Sequence, residues 1–224
     1  MNKLALFDLD HTLLPLDSDY EWGQFLVRTG AVDAVAFKRA NDDFFAQYQA
    51  GTLDPVEYLT FALGTLARFP RPQLDAMHRQ FMAEVIEPAI LPQARALLQK
   101  HADGGDLVAI VTATNRFVTA PIAAALGVAH LIAAVPQEDA HGNLTGKLLG
   151  VPTSGAGKVV HTHAWLKTIG KPLADFESSH FYSDSHNDIA LLSVVTHPVA
   201  TNPNAALATH ATNLGWPSLY LFND

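Results

Sequence analysis

Residues 4–10, LALFDLD, constrain this chain more than any other stretch. Four apolar residues run straight into Asp8, Leu9 and Asp10. A strand apolar on both alternating faces is one covered by helices on either side. Side chains two apart on a strand share a face. Taken as a strand through residue 10, the run therefore sends both carboxylates out on one side. Phe7, Leu9, Leu13 and Leu14 bracket the pair, which makes full solvation awkward. Burying charges is costly unless they are paired or bind a metal. The run thus predicts a central strand that ends at a charged site.

Three further segments carry the same pattern: LVAIVTA (107–113), HLIAAVP (130–136) and HFYSDS (180–185). HPVATNP (197–203) is a weaker fifth strand. RFVTAPIAAALGV follows residue 115 and HNDIALLSVV follows residue 185, both with helical character. Strands alternating with helices predict a parallel α/β sheet. HGNLTGKLLG (141–150) reads as a small hairpin turning at Gly142-Asn143. Residues 16–86 break the rhythm with four helical stretches punctuated at Gly30, Gly51 and Pro70. The expected division is a catalytic core of 1–15 and 87–224 with a helical cap of 16–86, inserted after the first strand. Such an insertion sits over the C-terminal ends of the strands, where open α/β sheets bind ligands.

Composition narrows the function. The chain has 224 residues and a net charge of -8, which argues against a broad nucleic-acid footprint. With no Cys there is no thiolate nucleophile and no Cys-based zinc site. The early carboxylates rule out reading the N-terminus as a signal peptide, and no run of about 18 apolar residues suggests a membrane span. A cytoplasmic location is the expectation.

The other strand ends supply the chemistry. VAIVTATN brings Thr112, and YSDSHND brings Asp184 with Asp188 four residues later. Asp residues at a helix start also serve as N-caps. Capping does not explain why several strand ends should converge carboxylates. Two carboxylates about 5 Å apart repel by roughly 3 kcal/mol at an effective dielectric near 20. A hard divalent cation removes that repulsion, and oxygen-only ligands suit Mg²⁺ shared with a substrate phosphate. A Lys is then expected to balance phosphate charge. Lys158, after a Gly-Ala-Gly turn at a helix start, is the candidate, with Lys147 and Lys171 as competitors.

DLDHTLL resembles the first motif of the haloacid dehalogenase superfamily. VAIVTATN resembles its second, GAGKVV its third and YSDSHNDIALL its fourth. The four occur in order and span essentially the whole chain. The cap position and the GNLTG ahead of the Lys resemble the phosphoserine-phosphatase-like branch. The resemblance implies a Rossmann-like parallel sheet flanked by helices. It implies a phosphatase working through an aspartyl-phosphate. Asp8 would be the nucleophile, and Asp10 the acid that protonates the leaving alkoxide and then activates water. Mg²⁺ would be held by the Asp8 carboxylate, the Asp10 backbone carbonyl and the Asp184 carboxylate, with Asp188 at or just outside its ligand shell. Thr112 and Lys158 would hold the phosphoryl oxygens. A phosphoryl-accepting receiver domain is the alternative from another class. The DxD spacing, the insertion after strand one and the length speak against it.

The substrate expected is a small phosphorylated metabolite. Phosphoserine phosphatases read the substrate amine with a Glu after the first motif and its carboxylate with a cap Arg. Here Asp17 stands near the Glu position, with Asp19 and Glu21 close by, and Arg28, Arg39 and Arg68 are candidates for the Arg. An acidic cap entrance suits a cationic ester such as histidinol phosphate, aided by Trp22, Phe44, Phe45 and Tyr48. Phosphoserine and broad specificity are the alternatives. The spacings of His161 with His163 and of His180 with His186 lack the i, i+4 pattern of helix-borne zinc ligands. His186, inside the fourth motif, is a candidate to border the pocket, and the rest are expected as surface or core residues.

Overall fold

In a computed structural model, which describes residues 2–222, the strands form one seven-stranded sheet of order β4-β3-β2-β1-β5-β6-β7. In chain order the elements are β1 (Lys3–Phe7), α1 (Ser18–Arg28), α2 (Ala34–Ala50), α3 (Pro55–Leu66) and α4 (Arg71–Phe81). A π-helical turn over Met82–Ile86 joins α4 to the short α5 (Glu87–Ala89). Then come α6 (Pro92–Asp103), β2 (Leu107–Asn115), α7 (Arg116–Ala125), β3 (His130–Glu138) and β4 (Leu144–Leu149). The chain closes with α8 (Ala156–Thr168), β5 (Ser178–Ser183), α9 (Ile189–Leu192), β6 (His197–Thr201), α10 (Ala205–Leu214) and β7 (Ser218–Leu219). All pairings are parallel except β3 with β4. Among the described residues no helix is long and apolar enough to cross a membrane.

β1 is the central strand, and its alternation builds two cores. Leu4 and Leu6 pack with Ala109, Val111 and Phe181 on one face. Ala5 and Phe7 pack with Ile110 and Tyr182 on the other. Leu4 to Phe7 are fully buried. At roughly 1.5–3 kcal/mol per large apolar side chain, this strand holds the sheet together. Its register then fixes the site. Phe7 lies opposite Ile110 of β2 and Tyr182 of β5, so Asp8 and Asp184 emerge just past the ends of their strands, beside Thr112 on the longer β2.

Two expectations change here. β1 ends at Phe7, not at residue 10. The Leu9 carbonyl accepts from the backbone N–H of Thr12, Leu13 and Leu14, and His11 takes a positive φ of 56°. This tight loop, not strand alternation, aims Asp10. Residues 141–150 do not form a hairpin of their own. The strand 144–149 pairs back onto an extended β3, with Pro136 opposite Leu148 and Glu138 opposite Leu144.

The four helices α1–α4 lie between β1 and β2 in the chain. Asp17, Asp33 and Asp54 cap α1, α2 and α3 by accepting from backbone N–H groups of the first turn. α3 packs on β4, where Gly146 allows close approach: a Cβ there would lie 3.3 Å from the Cα of Gly64. Trp22 packs against Phe25, His78, Phe81 and Phe117, which ties α1 and α4 to α7.

Candidate active site

Beyond the end of β1 the backbone N–H of Asp8 donates to the Tyr182 carbonyl at 2.9 Å. This fixes the Asp8 carboxylate beside Lys158, whose Nζ donates to Asp8 Oδ1 at 2.8 Å and to Asp188 Oδ2 at 2.6 Å. All three side chains are buried. Burial alone would lower the Lys158 pKa, but the Asp188 and Asp8 carboxylates more than offset it and hold the ammonium charged. Lys158 stands in the first turn of α8, after Gly155 at φ 52° and ψ -126°. Gly157 lets that turn close, because a Cβ there would meet the Pro152 carbonyl oxygen at 2.1 Å. Of the competing lysines, Lys147 is exposed on β4, and Lys171 lies over the Phe176 ring at 4.3 Å.

Asp184 follows β5 and neighbours Asp8. Its backbone N–H donates to Thr12 Oγ1 at 3.0 Å, which joins the β1 loop to the β5 loop. Burial, then the charges of Asp8 and Asp188, push its carboxyl well above the usual range. Asp188 is also raised, by burial first, with Lys158 opposing. Its Oδ2 accepts from Ser183 Oγ at 2.7 Å as well as from Lys158. Thus three buried carboxylates face a single ammonium. Ionised, that arrangement carries two more negative charges than positive before any phosphate arrives, and its remaining ligand atoms are all oxygen. It fits a hard divalent cation.

Asp10 is held from both sides. Its Oδ1 accepts from the Ser18 backbone N–H at 2.8 Å and its Oδ2 from Thr114 Oγ1 at 2.9 Å. Burial, then the Asp17 charge, raise its pKa to about 6, while Ser18 and Thr114 oppose the rise. A carboxyl poised there can hold a proton and release it near neutral pH. Thr112 is buried on β2, and its Oγ1 accepts from the Thr114 backbone N–H at 3.1 Å.

A cavity of about 320 Å³ opens over these groups. Asp8, Asp10, Thr112, Lys158 and Asp188 line its floor, Asp17 and Asp19 its α1 side, and Phe44, Phe45, Tyr48 and Tyr58 the α2 and α3 side. Lys158 is the sole Lys or Arg among the lining residues, against five carboxylates. None of Arg28, Arg39 and Arg68 lines it, and Arg28 pairs with Glu84 at 2.8 Å. Asp17 Oδ1 caps α1, accepting from the N–H groups of Asp19 and Tyr20 at 3.0 and 2.8 Å. Trp22, expected in the pocket, belongs to the core under α1 because its ring fills the gap between α4 and α7. His186 lies against Gly51 of the cavity wall, with Nδ1 facing Asn204 Nδ2 at 3.2 Å.

Four supporting residues escaped the sequence reading: Thr12, Thr114, Ser183 and Tyr58. The first three sit inside the motifs already singled out, so their position was a signal. Tyr58 carries none, since nothing in a helical pattern tells which face meets a cavity.

A family profile described as haloacid dehalogenase-like hydrolase matches residues 5–193. A histidinol-phosphatase of Neisseria meningitidis serogroup C (strain 8013) is 40% identical over 219 residues, which cover 98% of this chain and 99% of that protein. A crystal structure of a protein of unknown function from Bordetella pertussis Tohama I superposes with a TM-score of 0.94 at 48% identity, covering 99% of this chain and all of that one. A substrate-bound phosphoserine phosphatase superposes with a TM-score of 0.69 at 18% identity, covering 98% of this chain and 93% of that one. At that identity the likeness is one of fold.

Proposed function

Because this chain belongs to the haloacid dehalogenase-like hydrolase family and is a phosphatase, we propose that it hydrolyses a cationic phosphate monoester, histidinol phosphate. The observation that carries this reading is the charge of the cavity wall. One Lys stands among five carboxylates, no Arg is present to receive a substrate carboxylate, and aromatic rings close the outer side. An ester with an amine and an imidazole but no carboxylate suits that wall, whereas phosphoserine brings a carboxylate with nothing to pair it. The 40% identical histidinol-phosphatase supports the same substrate.

Asp8 attacks phosphorus, and the P–O bond to the alcohol breaks as the bond to Asp8 Oδ forms. Asp10 gives its proton to the departing alkoxide. With its proton gone, Asp10 takes one from a water that attacks the aspartyl-phosphate and frees phosphate. Lys158 and Thr112 hold the phosphoryl oxygens. Positioning and charge neutralisation supply most of the acceleration in such transfers. Asp8, Asp184 and the Asp10 backbone carbonyl would hold Mg²⁺, with Asp188 behind them orienting Lys158. When bound, the ion would supply positive charge to offset the negative charge of the phosphoryl oxygens. Residues 16–86 act as a cap that keeps bulk water from the intermediate.

The test is a panel of phosphate esters compared by kcat/KM with Mg²⁺ and again with EDTA. Histidinol phosphate should lead phosphoserine by about tenfold or more, and EDTA should abolish turnover. A lead for phosphoserine would overturn the substrate assignment.

A further inference from the structure

Two tyrosines, Tyr48 and Tyr58, line the cavity. The charges that act on the half-buried Tyr48 are those of Asp184, Asp8, Asp17 and Asp188. Those that act on the half-buried Tyr58 are Asp19, Asp17 and Asp10. The first group contains the nucleophile and its neighbours. The second contains the acid that meets the leaving oxygen. Asp10, which meets the leaving oxygen in the proposed reaction, thus shares its end of the wall with Tyr58 and Asp19.

Asp19 has no part in the reaction just described, yet it is only 5% exposed and lines the cavity. Its Oδ1 accepts from Asn115 Nδ2 at 3.3 Å. Its Oδ2 is buried and has no hydrogen-bond partner. The Tyr58 hydroxyl is close enough to the Asp19 carboxyl to oppose the rise in its pKa as a hydrogen-bond donor, yet it stands outside bonding geometry to Oδ2. A buried polar atom left without a donor is rare in a native structure and asks for an explanation. Helix capping is not one, since Asp17 already caps α1. The α1 macrodipole would favour an acid in this turn, but it acts equally on an exposed one. Asp17 and Asp10 face Asp19 as like charges, and no Lys or Arg of the cavity wall other than Lys158 is there to balance them.

Building on the proposed phosphatase reading, we propose that Asp19, flanked by Tyr58 and Asn115, is the subsite that receives a cationic nitrogen of the leaving group. Asp19 rather than Asp17 then sets the preference for amine-bearing esters, because Asp17 Oδ1 is already occupied by two backbone N–H groups. Burial and the Asp17 charge push the Asp19 carboxyl up to about 7, so a bound cation is what keeps it ionised at neutral pH. The aromatic wall gives the cation a second favourable surface.

The experiment compares 3-aminopropyl phosphate with butyl phosphate, esters of equal length that differ in charge. The readout is the ratio of their kcat/KM values at pH 8 with Mg²⁺. The same ratio is read as Kd by calorimetry on Asp8→Asn protein, so the comparison does not depend on turnover. The intact protein should prefer the amine by about tenfold or more, the worth of one buried charge-assisted bond. Asp19→Asn should remove most of that preference, lowering kcat for the amine ester as well as raising its KM, and Tyr58→Phe should reduce it about threefold. Glu21→Gln, an acidic neighbour outside the cavity wall, should leave the ratio within twofold. The inference is overturned if the intact protein shows no amine preference, if Asp19→Asn leaves the ratio within twofold, or if Asp19→Asn weakens both esters equally. If the amine preference depends on Asp19 but histidinol phosphate is a poor substrate, the subsite stands and the named substrate falls.

Discussion

A buried carboxylate kept for binding should cost stability, and Asp19 lets that cost be measured. Burial and the Asp17 charge lift its pKa from 3.8 to about 7. At 1.36 kcal/mol per pKa unit, ionising Asp19 in the fold opposes folding by up to about 4 kcal/mol. The sign follows from proton binding. Between pH 3.8 and about 7 the folded chain holds the proton and the unfolded chain has lost it. Stability from this group is therefore complete below pH 3.8, falls as pH rises, and is fully lost above about 7. Asp19→Asn resembles the protonated form and never ionises. Its advantage over the native chain should grow from about 2 kcal/mol at pH 5 to about 4 kcal/mol at pH 8, both upper figures. Urea unfolding in EDTA at the two pH values, with the m-values compared, reads this directly. A difference that stays flat between pH 5 and 8 would mean that Asp19 is ionised without penalty. So would a native chain that is the more stable at pH 8. Either outcome removes the ground for saying that its Oδ2 awaits a cation.

Two further substitutions probe the reaction end. Asp8→Asn should fold, since Lys158 keeps its bond to Asp188, yet p-nitrophenyl phosphate turnover should fall by at least about a thousandfold. Retention of most activity would remove Asp8 from the nucleophile role. Gly157→Ala places a Cβ against the Pro152 carbonyl oxygen, so the first turn of α8 must shift and carry Lys158 with it. A loss of about 1–3 kcal/mol in thermal unfolding is expected, with a fall in kcat larger than the rise in KM. An unchanged melting curve would contradict the close approach.

The strands were legible in the sequence because each is apolar on both faces. The carboxylates stood out because such strands should not end in charge. What stayed hidden depended on turns and partners. Asp10 lies off the strand because the Leu9 carbonyl collects three N–H groups, an arrangement that alternation does not reveal. Gly142-Asn143 did mark a turn, but the partner of residues 144–149 is the β3 tail, whose Pro136 and Gln137 end the apolar run. β7 is two residues long and carries no pattern at all. On α1, Trp22 and Asp19 are three residues apart, close to one helical turn, and sequence alone gives no reason to send one to the core and the other to the cavity.

That last pair shows how the segment after β1 divides its work. Asp10 accepts from Ser18 at the start of α1, and Asp17 caps the same helix. The proposed acid of the reaction and the first turn of the proposed cap are thus one hydrogen-bonded unit. Moving α1 would displace Asp10 and Asp19 together. A substrate whose cation draws in Asp19 therefore also fixes the acid beside its own leaving oxygen. In this arrangement binding energy from the far end of the substrate is spent on orientation at phosphorus, which raises kcat as well as lowering KM. An ester lacking the cation should lose both, and the loss in kcat is the signature that separates coupling through α1 from a remote binding contact.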